Sequence, residues 1–170
     1  MAIGRRVTDP IRVVSTTADT ALDRTATPLL DYIESRDPAL PRAIPGQRLT
    51  WFTLRPLPSE IVGSVRTYQS PLAEQTAFLI ACSACDDADL LPPDSWTGDG
   101  DARRLKGSVL ARLPDQLWQE LGAVALRLGT LTVGEAPRFG LPAGLPVTRT
   151  RPNATTVGSA TGSGRPDPGA

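Results

Sequence analysis

Cys82 and Cys85 stand three apart in the stretch IACSACDDAD, and Asp86, Asp87 and Asp89 follow at once. Thiolates at that spacing suit disulfide exchange or a soft metal, and clustered carboxylates suit a hard cation. The surrounding residues argue against both. Ser70-Pro71 opens a helix in which Leu72 and Leu79 share one stripe, while Phe78, Cys82 and Cys85 fall at i, i+4 and i+7. The cysteines then sit late in that helix, whereas activated thiolates sit at helix N-termini, where the dipole favours negative charge. A structural zinc ion wants four nitrogen or sulfur ligands, and the chain offers two sulfurs and no imidazole. A four-cysteine site shared between two subunits would be needed, so the expected role of both thiols is to fill the core, with Asp86, Asp87 and Asp89 marking the exit into a loop.

The next acidic stretch, LLPPDSWTGDGD from Leu90 to Asp101, is expected to be a loop turned by Pro92, Pro93, Gly98 and Gly100. Asp94, Asp99 and Asp101 do not follow the ligand order of a calcium loop, and a solvated turn is expected instead. Trp96 in this loop either folds back over the core or projects into a partner. Covering the core is the favoured expectation.

Histidine is absent from the whole chain. Its absence removes Ser-His-Asp and Cys-His activation and the side chain best matched to proton transfer near neutral pH. The single lysine, Lys106, lies among polar residues with nothing to desolvate it. A non-enzymatic protein without catalytic, cofactor-binding or metal-binding residues is therefore expected, with no small-molecule substrate. Eighteen basic residues balance 18 acidic ones, so no net field draws the chain to nucleic acid or an anionic membrane. No segment approaches the ~20 apolar residues that span a bilayer, and a soluble protein in a reducing compartment is expected.

The elements around these residues predict a mainly α fold with a minor β part, divided into three regions. Residues 1–46 carry apolar clusters at Ile11/Val13/Val14 and Leu29/Leu30/Tyr32/Ile33, interrupted by Pro28, Pro38, Pro41 and Pro45. That pattern predicts an extended N-terminal arm with a helical turn near Leu29 to Glu34, unable to make a core by itself. Residues 47–136 predict a helical core domain with one short strand or hairpin near Trp51. Within it Ser59 caps a helix bearing Ile61, Val65 and Tyr68, Asp101 caps a short helix through Leu105, Val109 and Arg112, and the most regular helix carries Leu117, Leu121, Val124 and Leu128 ahead of Gly129. The predicted core is Trp51, Phe52, Leu54, Val65, Phe78, Leu79, Cys82, Leu117, Trp118, Leu121, Val124 and Leu128. Residues 137–170 are rich in proline and glycine and predict a tail without structure of its own. Candidate partner contacts are Ile11, Val13, Leu29 and Tyr32 in the arm, Trp96 should it project outward, and Arg149 and Arg151 in the tail.

Two segments, RLTWFTLRPLPSEI and LARLPDQLWQELGAVALRLGTLT, together resemble a group of small tailed-bacteriophage proteins encoded among the virion-assembly genes, some of them similar to tail assembly chaperones. The resemblance covers about half of the chain, and it brings no catalytic residue. The long proline-rich ends and the two cysteines lie outside it. It implies a structural component of a phage or phage-like particle, assembled in the host cytoplasm and bound to other phage structural proteins in an oligomeric assembly. It implies as an alternative a chaperone that holds tape-measure or tube subunits and is absent from the mature particle.

Overall fold

The computed structural model describes residues 9–130. The predicted tail, with Arg149 and Arg151, lies outside the described residues.

A strand needs partners before it can be buried, and this requirement reorganises what the periodicity suggested. The QRLTWFTL segment forms strand β2, Phe52–Leu54, whose amides and carbonyls must find acceptors and donors on both edges. One edge is taken by β1, Ile11–Val13, in antiparallel register with Ile11 opposite Leu54 and Val13 opposite Phe52. The other is taken by β3, Cys82–Cys85, also antiparallel, with Phe52 opposite Cys85 and an irregularity between Thr53 and Leu54. A second antiparallel pair joins β4, Trp96–Thr97, to β5, Arg104–Leu105. The fold is therefore an α+β mix and not mainly α. The helix expected to run through Cys82 and Cys85 stops at Ala81, where Cys82 turns to φ −68° and ψ 117° and the chain enters the sheet directly.

Among the described residues, four α-helices pack around these strands. Helix α1 is Leu29–Ser35, α2 is Ser59–Val65, α3 is Leu72–Ala81 and α4 is Asp115–Leu128. All four are preceded by proline, Pro28, Pro58, Pro71 and Pro114, and no side chain caps them, so Ser59 does not perform the capping expected of it. Ser70 donates to Glu74 Oε1 at 3.0 Å. The predicted helix from Asp101 is replaced by a tight 3₁₀ turn at Gly100–Ala102, strand β5, and a 3₁₀ helix at Gly107–Arg112.

Helices α3 and α4 cross at Gly122, where a Cβ atom would lie 2.1 Å from the Glu74 carbonyl oxygen. The main core gathers Ile11, Val13, Phe52, Leu54, Phe78, Cys82, Leu117, Trp118, Leu121, Val124 and Leu128, all buried. Phe52 meets Phe78 edge-on, with ring centroids 6.4 Å apart. Of the remaining predicted core residues, Val65 is buried in a second cluster with Leu57, Val62 and Ala125, while Leu79 and Trp51 are partly buried against the cores.

The largest correction concerns residues 9–46. They are not an extended arm. Val14, Ala21, Leu22 and Tyr32 join Leu49 in a third buried cluster. Short polar side chains make the turns that the prolines had seemed to forbid: Asp19 accepts the amides of Ala21 and Thr50, each at 2.8 Å, and Thr27 Oγ1 accepts the Arg42 amide at 2.9 Å. An antiparallel bridge between Leu22 and Ala43 closes the resulting loop.

Candidate functional site

The chemistry-bearing residues separate into two thiols, an acidic turn and a buried carboxylate. Cys82 is buried and Cys85 half-buried, and both are free thiols. Burial pushes the Cys82 thiol far above its ordinary range, and it raises Cys85 to about 11, with Asp86 and Asp87 adding to the rise. Both are therefore thiols at neutral pH. Asp86 does more than end an element: its Oδ1 accepts the Trp51 amide at 2.8 Å while its own amide donates to the Trp51 carbonyl at 3.1 Å, extending the β2–β3 pairing. Asp87 accepts the amides of Asp89 and Leu90 at 2.9 and 3.2 Å, which forms the turn that follows. Among the described residues no group of three or more histidine, cysteine or acidic side chains is placed to hold a metal ion. No described helix is long and apolar enough to cross a membrane.

Glu120 has no counterpart in the sequence expectations. Its carboxylate leaves α4 beside the Leu117/Leu121 stripe and is enclosed by the Ser15-Thr16-Thr17 segment. Oε2 accepts the Ser15 hydroxyl at 2.7 Å, the Thr17 amide at 3.1 Å and the Thr17 hydroxyl at 2.9 Å. Oε1 accepts the Thr16 hydroxyl at 2.7 Å and Arg36 Nη1 at 2.9 Å, and the Thr16 amide spans both oxygens at 3.0 and 2.9 Å. Burial alone would raise the pKa of this carboxyl. The Thr16 amide, the Ser15 and Thr16 hydroxyls and the Arg36 guanidinium outweigh it and bring the value to about 2. A carboxylate with its lone pairs filled and its charge fixed is poorly suited to moving protons at neutral pH. Its effect is mechanical: it ties residues 15–17 and Arg36 to α4.

Arg36 is itself held in place. It adopts φ +52° at the end of α1, its amide donates to the Tyr32 carbonyl, and its guanidinium lies 5.3 Å from the centre of the Tyr32 ring. The Tyr32 hydroxyl accepts the Val14 amide at 2.7 Å and approaches the Val14 carbonyl at 3.2 Å. Helix α1 is thus clamped along its inner side at both Tyr32 and Arg36.

This clamping decides what the expected contact residues do. Ile11, Val13 and Tyr32 are buried, with Val13 and Tyr32 at 0% exposure, so they serve the chain's own core and offer no surface to a partner. Leu29 is half-buried against the third cluster, and Trp96 is half-buried against the main core beneath the Arg103 guanidinium, 4.4 Å from its ring centre. The apolar side chains that do face outward are their neighbours on α1. Leu30 is 78% exposed and Ile33 41% exposed, one helical turn apart, with Asp31 and Glu34 beside them. An open cleft of about 670 Å³ adjoins this face, lined by Asp31, Glu34, Ser35 and Arg127. Leu30 and Ile33 thus form an apolar spot edged by carboxylates on the outer side of α1. Tyr68 and Leu72, 45% and 50% exposed, are the other large apolar side chains in solvent among the described residues. Comparison of the chain with protein-family models, with curated proteins and with solved structures finds no match.

Proposed function

We propose that this chain is a non-enzymatic structural component of a tailed phage or phage-like particle and that it binds a neighbouring subunit through the outer face of α1. The single observation that carries the contact is the exposure of Leu30 and Ile33 on a helix whose inner side is fixed by Tyr32 and Arg36. Ordering a contact element costs conformational entropy on binding, and a helix already immobilised by the fold avoids much of that cost. The particle setting rests on the resemblance of the β2–α2 and α4 segments to small virion-assembly proteins of tailed phages. The two segments form connected parts of the scaffold, since Gly129 at the end of α4 abuts Leu57 and Val62. Quantitative mass spectrometry of purified particles tests the role. Many copies per particle are expected, and absence from particles that still require the gene for assembly would favour the transient tail assembly chaperone.

A further inference from the structure

A groove of about 360 Å³ lies where the loop after β2 faces the β4–β5 hairpin, floored by Leu57, Ile61 and Ile80 and edged by Arg55, Arg103 and Arg104. Arg55 is locked in place by neutral acceptors, donating to the carbonyls of Gly100 at 3.2 Å, Asp101 at 2.7 Å and Arg103. Arg103 is stacked on Trp96. None of the ion pairs among the described residues involves any of these arginines, so their charge is not cancelled by a bonded carboxylate. Asp101 lines the groove too, and the rim remains net positive. An apolar floor within a cationic rim suits an apolar segment that carries carboxylates.

Such a segment exists on the same chain. The outer face of α1 presents Leu30 and Ile33 with Asp31 and Glu34 beside them. We propose that the groove receives α1 of a second copy, with Leu30 and Ile33 on the floor and Asp31 and Glu34 against the arginine rim. The two surfaces consist of different residues, so the contact is head-to-tail. It propagates into a ring if the rotation closes and into a filament if it does not. This inference rests on the reading of α1 as the contact face and names the neighbour as another copy of the chain.

Sedimentation velocity of the full chain at rising concentration, at low and high salt, tests it with two charge-reversed variants. D31K/E34K disables the helix face and R103E/R104E disables the groove; all four positions are exposed. Wild type is expected to form species larger than dimers, with association weakened about tenfold or more by high salt. Each variant alone is expected to be monomeric. Their mixture is expected to regain species larger than dimers, because the wild-type groove of one meets the wild-type helix of the other and the reversed, cationic helix matches the reversed, anionic groove. A wild type that stays monomeric into the millimolar range would overturn the proposal, as would either variant associating on its own as strongly as the wild type. Loss of D31K/E34K from particles together with a monomeric wild type would leave the α1 reading standing and remove self-assembly alone.

Discussion

Glu120 and Arg36, 84 positions apart, meet in an ion pair of 2.9 Å that is almost wholly shielded from solvent, with side-chain exposures of 10% and 6%. Charges removed from water in this way are stable only when every partner is present. Here the partners come from α4, from the end of α1 and from residues 15–17, so one carboxylate joins three parts of the chain.

Removing that carboxylate leaves Arg36 buried without its counter-ion. Glu120→Ala should therefore lower unfolding stability by about 3–5 kcal/mol in urea titrations. Glu120→Gln keeps the shape and part of the hydrogen bonding and should cost less.

The same carboxyl sets an acid limit. Its folded pKa of about 2 lies below its ordinary value of 4.5, so the stabilisation is fully present above that ordinary value and is lost as pH falls through the folded one. Wild-type stability should decline between about pH 4.5 and pH 2, and the decline should be shallower in Glu120→Gln, as measured by chemical denaturation across that range.

Tyr32→Phe removes the hydroxyl from the Val14 amide and carbonyl while leaving the ring in place. A loss of about 1–3 kcal/mol is expected because the Val14 groups stay buried. Limited proteolysis provides a matching check: sites between Ile11 and Leu49 should resist cleavage in the wild type and open in Tyr32→Phe and Glu120→Ala.

Cys82 and Cys85 should behave as unactivated thiols. Under native conditions at pH 8, iodoacetamide should leave Cys82 unmodified and label Cys85 slowly, and both should react rapidly in denaturant. Peptide mass mapping after timed quenching distinguishes the two sites.

Gly122 lies where α3 and α4 touch. A Cβ there collides with the Glu74 backbone, which cannot move aside as a flexible side chain would. Gly122→Ala gains up to about 1 kcal/mol of helix propensity and should nevertheless destabilise by roughly 1–3 kcal/mol, through separation of the helices. The thermal midpoint measures the net.

Much of the interior was legible in the sequence because it depends on local period. Leu117, Leu121, Val124 and Leu128 announce α4 at helical spacing, and Phe52 and Leu54 alternate as a strand does. The pairing of that strand was not legible. Ile11–Val13 looked like an isolated apolar patch ahead of a proline-broken region, and Phe78, Cys82 and Cys85 fit a helical stripe although the last two belong to β3. Long-range hydrogen bonding decides such cases, and it leaves no periodic mark on a strand of three or four residues. Glu120 was hidden for a related reason. A glutamate flanking an apolar stripe on a helix ordinarily faces water, and only the three hydroxyl-bearing residues Ser15, Thr16 and Thr17 hint that a carboxylate is captured elsewhere. The outer face of α1 was within reach, since Tyr32 and Leu30 lie on different sides of one helix, yet the expected contact residues there, Leu29 and Tyr32, are those that turn inward.

The decisive measurement is the incorporation into particles of a chain carrying Leu30→Asp and Ile33→Asp, because both side chains are exposed and the substitution should leave the thermal midpoint close to that of the wild type. If the outer face of α1 is the proposed contact, this folded variant is made in normal amounts and is missing from assembled particles. Recovery of the variant in particles at the wild-type copy number would rule out this face as the contact.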